Sequence, residues 1–216
     1  NGQSPEKEQL LSSLRNAEEM YVFMSLCTKM PYVLCDEETF DDEVLLYYTE
    51  EDAQREGKKL IEQRIPIQIA KIEKKQLLGF FSSLYPMGVN GLLINKNMES
   101  EARLQLGELV IRPNTEDLPD GKVWVENPQL HLTALYFMQE MRRQEKPELT
   151  EELKGLQEEI LVNYGRGRFI VAVHKENGMP MLKQKNGDAY QPIFTDILEF
   201  RKFNKEDQFK TMAIEA

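Results

Sequence analysis

Apolar residues recur at helical spacing and then at every second position, twice along the chain. The periods predict a helix at 5–18, strands at 20–27, 31–35 and 43–48, a helix at 50–63 and a strand at 66–72. A second series predicts a helix at 149–163, strands at 167–174, 179–184 and 189–194, a helix at 196–204 and a strand at 208–214.

The two series align as a repeat. "KEQLLSSLRNAEEMYVFMSLCTKMPYVL" from Lys7 and "EELKGLQEEILVNYGRGRFIVAVHKENGMPMLK" from Glu151 each give helix, connector, alternating strand, polar turn and a Met-Pro that opens the next strand. Further on, Tyr48-Thr49 stands where Phe194-Thr195 stands, and the first copy is longer by the acidic turn "DEETFDDE". The fold class that follows is α+β, two related units, each a small mixed sheet with helices packed on it. The boundary falls near residue 115, giving units 1–115 and 116–216. After its last strand the first copy adds a helix, "EKKQLLGFFSSLYP", and a strand, "GLLINK". The second stops at Ala216 without them, whether cut short or naturally shorter.

Between the copies the pattern predicts a strand, a polar turn at Asp120-Gly121 and a strand around Trp124, the sole tryptophan. Asn127-Pro128 then marks a helix start, Asn as cap and Pro in the first turn. Through "LTALYFM" this helix is apolar on nearly all sides, so it is expected to be buried between the units.

Composition narrows the function classes. The chain has 216 residues, 41% of them hydrophobic, enough for a packed core. A net charge of −10 opposes the basic footprint that nucleic acid or an anionic membrane surface requires. No apolar run reaches the ~18 residues of a membrane span. Cys27 and Cys35 read as two buried thiols in a reducing cytoplasm, the other reading being a short disulfide between neighbouring strands.

"AYQPIFTDILEFRKF", following a strand and the turn at Asn186-Gly187, resembles the SseB N-terminal-domain family, in which an aromatic-Thr pair opens a helix after a strand. The first copy supplies the family's later helix and strand as "GVNGLLINKN", with Lys96 in place of a proline. The resemblance implies a small, often doubled α+β domain in bacterial cytoplasmic proteins. It implies no catalytic residues.

The candidate chemistry is sparse. Thr195 and Asp196 are read as a helix start, where an oxygen accepts an orphan backbone N–H. His131 and His174 have no neighbouring ligands at zinc-site spacing, so no metal is expected. In "NYGRGRF" a helix leads into a strand, the reverse of a P-loop order, and Gly165 is expected to end the helix in the left-handed conformation. Arg166 and Arg168 could still hold an anion, with Tyr190 beside them. "CDEETFDDE" reads as a solvated hairpin tip and "LGFFSSLYPM" as core.

With no converging acid, base, nucleophile or cofactor motif, the expectation is a non-enzymatic bacterial cytoplasmic protein, a scaffold or interaction module for an unknown protein partner. The alternative is a sensor holding a small anionic ligand between the units at Arg166, Arg168 and Tyr190.

Overall fold

In the computed structural model, which describes residues 4–112, 114–115, 118–174 and 176–216, the chain begins with α1 (Pro5–Asn16), β1 (Glu19–Ser25), β2 (Val33–Cys35) and β3 (Asp42–Tyr47). It continues through α2 (Glu50–Glu62), β4 (Ile67–Glu73), α3 (Lys74–Leu84), β5 (Gly91–Ile94), β6 (Ala102–Gln105) and the single turn α4 (Leu106–Leu109). Then come α5 (Pro128–Arg143), α6 (Glu151–Tyr164), β7 (Arg168–His174), β8 (Leu182–Lys183), β9 (Ala189–Tyr190), β10 (Ile193–Phe194), α7 (Ile197–Phe203) and β11 (Phe209–Glu215). The fold is α+β.

Helix starts fall where the sequence supplies an oxygen. Ser4, Thr49, Thr150 and Asp196 each accept a hydrogen bond from a first-turn N–H of α1, α2, α6 and α7.

The larger sheet runs β4-β1-β3-β5-β6, with β2 also paired to β3, and only the β3–β5 pair is parallel. The smaller runs β10-β7-β11, antiparallel throughout. Thus β11-β7-β10 has the same order and sense as β4-β1-β3. Alternation along β1 divides the core of the larger sheet. Met20 and Val22 face Leu14, Phe81, Leu84, Leu132 and Leu135, whereas Tyr21 and Phe23 face Ala53, Leu45 and Tyr47. A third cluster joins Val125 to Ile170, Ala172 and Phe200 on the smaller sheet.

Helix α5 is buried as expected and packs on the larger sheet through Leu132 and Leu135. Gln139 finishes the free edge of β2. Its Nε2 donates to Val33 O at 3.1 Å and its Oε1 accepts from Val33 N at 3.3 Å. The "LGFFSSLYPM" stripe is core through Phe81, Leu84 and Met87, with Leu77 just before it also buried, while its first residue, Leu78, is exposed.

Several expectations are corrected. No strand forms around Trp124: that segment is held by burying Val125 against Ile170 rather than by pairing its backbone. The strand before it covers only Ala102–Gln105, because Gln105 and Glu108 form a capping box that starts α4. Gly165 ends α6 in a right-handed conformation, φ −64°, its N–H bonded to Leu161 O. The glycine that the turn requires is Gly167, where a Cβ would come within 2.6 Å of the Phe169 ring. The cysteines are unpaired, but neither is buried; Cys35 is exposed at the end of the short β2.

Candidate functional site

Asn127 occupies the cap position of α5, yet its side chain does not cap. Its Nδ2 donates to Arg168 O at 2.7 Å and to Thr195 O at 2.8 Å, tying the start of α5 to β7 and to the residue before the α7 cap. One turn into α5 lies His131, 8% exposed. One residue beyond Thr195 lies Asp196, 1% exposed. The two side chains consequently meet, with His131 Nδ1 3.4 Å from Asp196 Oδ2 and Nε2 3.9 Å from Glu199 Oε1.

Asp196 has a double role. Oδ1 accepts from Leu198 N at 2.8 Å and Glu199 N at 3.0 Å, and Oδ2 accepts from the Thr195 hydroxyl at 2.8 Å. Burial pushes its carboxyl up, but the His131 imidazole, the Glu199 N–H and Thr195 together outweigh it. The net result lies below the usual range, so the group is a carboxylate at neutral pH. His131 Nδ1 is buried and finds no hydrogen-bond partner, its closest approach to Asp196 being 3.4 Å.

These residues close the polar end of a cavity of about 460 Å³. Its walls are Val22 and Met24 of β1, Ala70 and Ile72 of β4 and Phe80 of α3, faced by Leu198 of α7. At the polar end, Lys202 Nζ donates to Glu199 Oε1 at 2.6 Å. The one hydroxyl-bearing lining residue, Ser83, donates to Phe80 O at 2.7 Å and is not directed at the imidazole. The arrangement can therefore hold an apolar body in the cavity and a cation or hydrogen-bonding group at its end. A smaller cavity of about 230 Å³ lies on the opposite face of the larger sheet, beside Phe23, Tyr47 and Glu56. Glu56 is satisfied there by Lys59 and Asn97.

The residues anticipated for an anion line neither cavity. Arg166 is exposed in the turn after α6. Arg168 on β7 is paired with Glu215 at 3.0 Å, and the exposed Tyr190 on β9 donates to Asp188 at 3.3 Å. His174 Nδ1 accepts from Glu176 N and Asn177 N, so that histidine closes a turn. The acidic run forms a turn in which Asp36 accepts from Glu38 N and Thr39 N and pairs with Arg103 at 2.9 Å. Glu43 from the same run is buried, with Oε2 unpartnered.

His131 and Glu199 were not grouped by sequence reasoning, although Asp196 was singled out as a cap. Asp196 and Glu199 stand three apart on one face of a helix start, and His131 is a polar residue flanked by Leu130 and Leu132 in a helix. That pairing of signals was available in the sequence.

No protein-family model matches the chain, and no characterised protein matches its sequence. Among solved structures, Tic22 from Plasmodium falciparum is 15% identical over 95% of this chain and 82% of its own, with a TM-score of 0.26. Anabaena Tic22 (protein transport) is 10% identical over 96% of this chain and 82% of its own, with a TM-score of 0.23. Likenesses this slight carry nothing about activity or partners. No helix among the described residues is long and apolar enough to cross a membrane.

Proposed function

We propose that this protein is a non-enzymatic binding module that takes a small, largely apolar ligand into the cavity between two related units. The observation that carries the reading is the cavity of about 460 Å³, apolar along its walls and polar at one end. Ligand sites are typically ~300–1,000 Å³, apolar, and oriented by a few polar groups. The expected place for a ligand, between the units, is retained, and Val22, Ala70, Ile72, Phe80 and His131 replace Arg166, Arg168 and Tyr190 as its lining.

The shared strand order of β4-β1-β3 and β11-β7-β10 supports reading residues 1–115 and 116–216 as copies of one unit, and with it the resemblance to the SseB N-terminal-domain family. Unpaired Cys27 and Cys35 support a reducing, cytoplasmic setting. A second reading, docking of a protein partner, is favoured by Leu161, Val162 and Tyr164, which are exposed together at the end of α6.

Titration with 1-anilinonaphthalene-8-sulfonate tests the cavity. Saturable binding to the native protein is expected, with loss in Ala70→Trp, whose indole occupies the space. Equal dye binding by both proteins, at matched far-UV circular dichroism, would overturn the reading.

A further inference from the structure

We propose that His131, Asp196 and Glu199 bind a divalent first-row transition-metal ion of the zinc class where α5 meets α7. One nitrogen of the imidazole and one oxygen of each carboxylate lie within 4.8 Å of one another. The proposal does not depend on the cavity's taking an organic ligand.

The His131–Asp196 geometry is poor for a hydrogen bond and good for a shared ion. Nδ1 lies 3.4 Å from Oδ2, long for a hydrogen bond, and is left without a hydrogen-bond partner. In a tetrahedral site with zinc bonds of ~2.0–2.2 Å, neighbouring ligand atoms stand about 3.2–3.6 Å apart, with the ion off the line joining them. A histidine 8% exposed whose Nδ1 is buried and unpartnered is a polar atom aimed at a site.

The carboxylates are prepared for the same task. Asp196 is held rigid by the Leu198 and Glu199 N–H groups and by Thr195, and Oδ2 accepts only the one bond from Thr195, keeping electron density toward His131. Such outer hydrogen bonds orient a ligating carboxylate. Glu199, one turn along, offers a carboxylate oxygen that lies within 4.8 Å of the ligand atoms of both His131 and Asp196. Lys202 shares that carboxylate at 2.6 Å, but its side chain is half-exposed on a flexible stem and competes with an ion rather than excluding it. One imidazole with two carboxylates suits zinc and its neighbours; calcium and magnesium prefer all-oxygen sets. All three residues line the cavity, so a coordination position left open by the protein opens into it.

The test uses the full chain carrying Cys27→Ser and Cys35→Ser, which removes adventitious thiol ligands, stripped with chelator and titrated with Zn²⁺, Co²⁺, Mg²⁺ and Ca²⁺. One Zn²⁺ per chain is expected by calorimetry, and bound Co²⁺ should show visible ligand-field absorption. His131→Phe and Glu199→Gln should each weaken Zn²⁺ at least ~100-fold and abolish the cobalt bands. His174→Ala should change neither. Glu199→Gln alters a partly exposed side chain, so its circular dichroism should match the parent even if His131→Phe folds poorly. Absence of Zn²⁺ binding by the parent would overturn the proposal. Binding that survives Glu199→Gln undiminished, or that Mg²⁺ or Ca²⁺ matches, would overturn it equally.

Discussion

The Asn127 amide donates to the Thr195 carbonyl at 2.8 Å, joining the start of α5 to the start of α7 across 68 residues of sequence. A second bond from the same nitrogen reaches Arg168 O at 2.7 Å. Two helices that begin at one point bring their first turns together, and this is why His131 and Asp196 face each other. The polar end of the cavity thus depends on an asparagine that looks like an ordinary cap.

Asn127→Ala should therefore cost about 1–3 kcal/mol in urea unfolding, because two carbonyls, that of Thr195 partly buried, lose their donor. Asn127→Asp should be no better than alanine, since a carboxylate has no hydrogen to give. Full stability in either variant would show that the tie between the helix starts is not needed.

Glycine substitutions should split by position. Gly88 has φ +86°, and a Cβ there would stand 2.6 Å from Pro128 O and 2.9 Å from Leu132 Cβ, so Gly88→Ala should destabilise by more than ~1 kcal/mol and push α5 from the sheet. Gly155 lies inside α6 with open space around it, so Gly155→Ala should stabilise by about 0.4–1 kcal/mol. Melting temperatures of the two variants moving in the same direction would contradict this.

Glu43 supplies a pH test. Burial pushes its carboxyl above the usual range, against the pull of Arg103, whose Nε is 3.4 Å away. An acid that holds its proton more tightly when folded stabilises at low pH, and that contribution is lost as pH rises through its folded pKa. Glu43→Gln should accordingly be more stable than the native protein at pH 7, and the gain should vanish below the ordinary value of 4.5. Asp196, displaced downward, has the opposite sign: its contribution is present above the ordinary 3.8 and is lost as pH falls below it. Urea midpoints at pH 4 and pH 7 separate these trends, and a destabilised Glu43→Gln at pH 7 would contradict the assignment.

Lys202→Gln removes the ammonium that shares Glu199. If that lysine competes with a cation, the variant should bind Zn²⁺ more tightly than the parent, with an unchanged stoichiometry. Weaker binding would place Lys202 in support of the site instead.

Much of the fold was legible because periodicity reports burial. The elements from α1 to β5, and α6, β7, α7 and β11, lie within a few residues of their predicted spans. The strand expected at 179–184 shrinks to the exposed β8, and the single strand expected at 189–194 breaks at Gln191-Pro192 into β9, paired with β8, and β10, paired with β7, because Pro192 has no N–H for a ladder. The stretch around Trp124 misled because Val123 and Val125 look like strand residues, although Val125 is buried by side-chain packing alone while Val123 stays exposed. The glycine needed after α6 proved to be Gly167 rather than Gly165, because close approach of the Phe169 ring, a tertiary fact, decides which position must lack a Cβ. The site was legible in parts. Asp196 announced itself as a cap, but nothing local to His131 reveals that the Asn127 side chain leaves its own helix to hold Thr195.

The most direct measurement of the central claim is native mass spectrometry of the full chain purified without denaturation. A small-molecule adduct is predicted on the native protein and absent from Ala70→Trp at equal foldedness. An adduct retained by Ala70→Trp, or a bare chain that also fails to bind the anilinonaphthalene probe, would contradict the assignment of the cavity between β1, β4, α3 and α7 as the binding site.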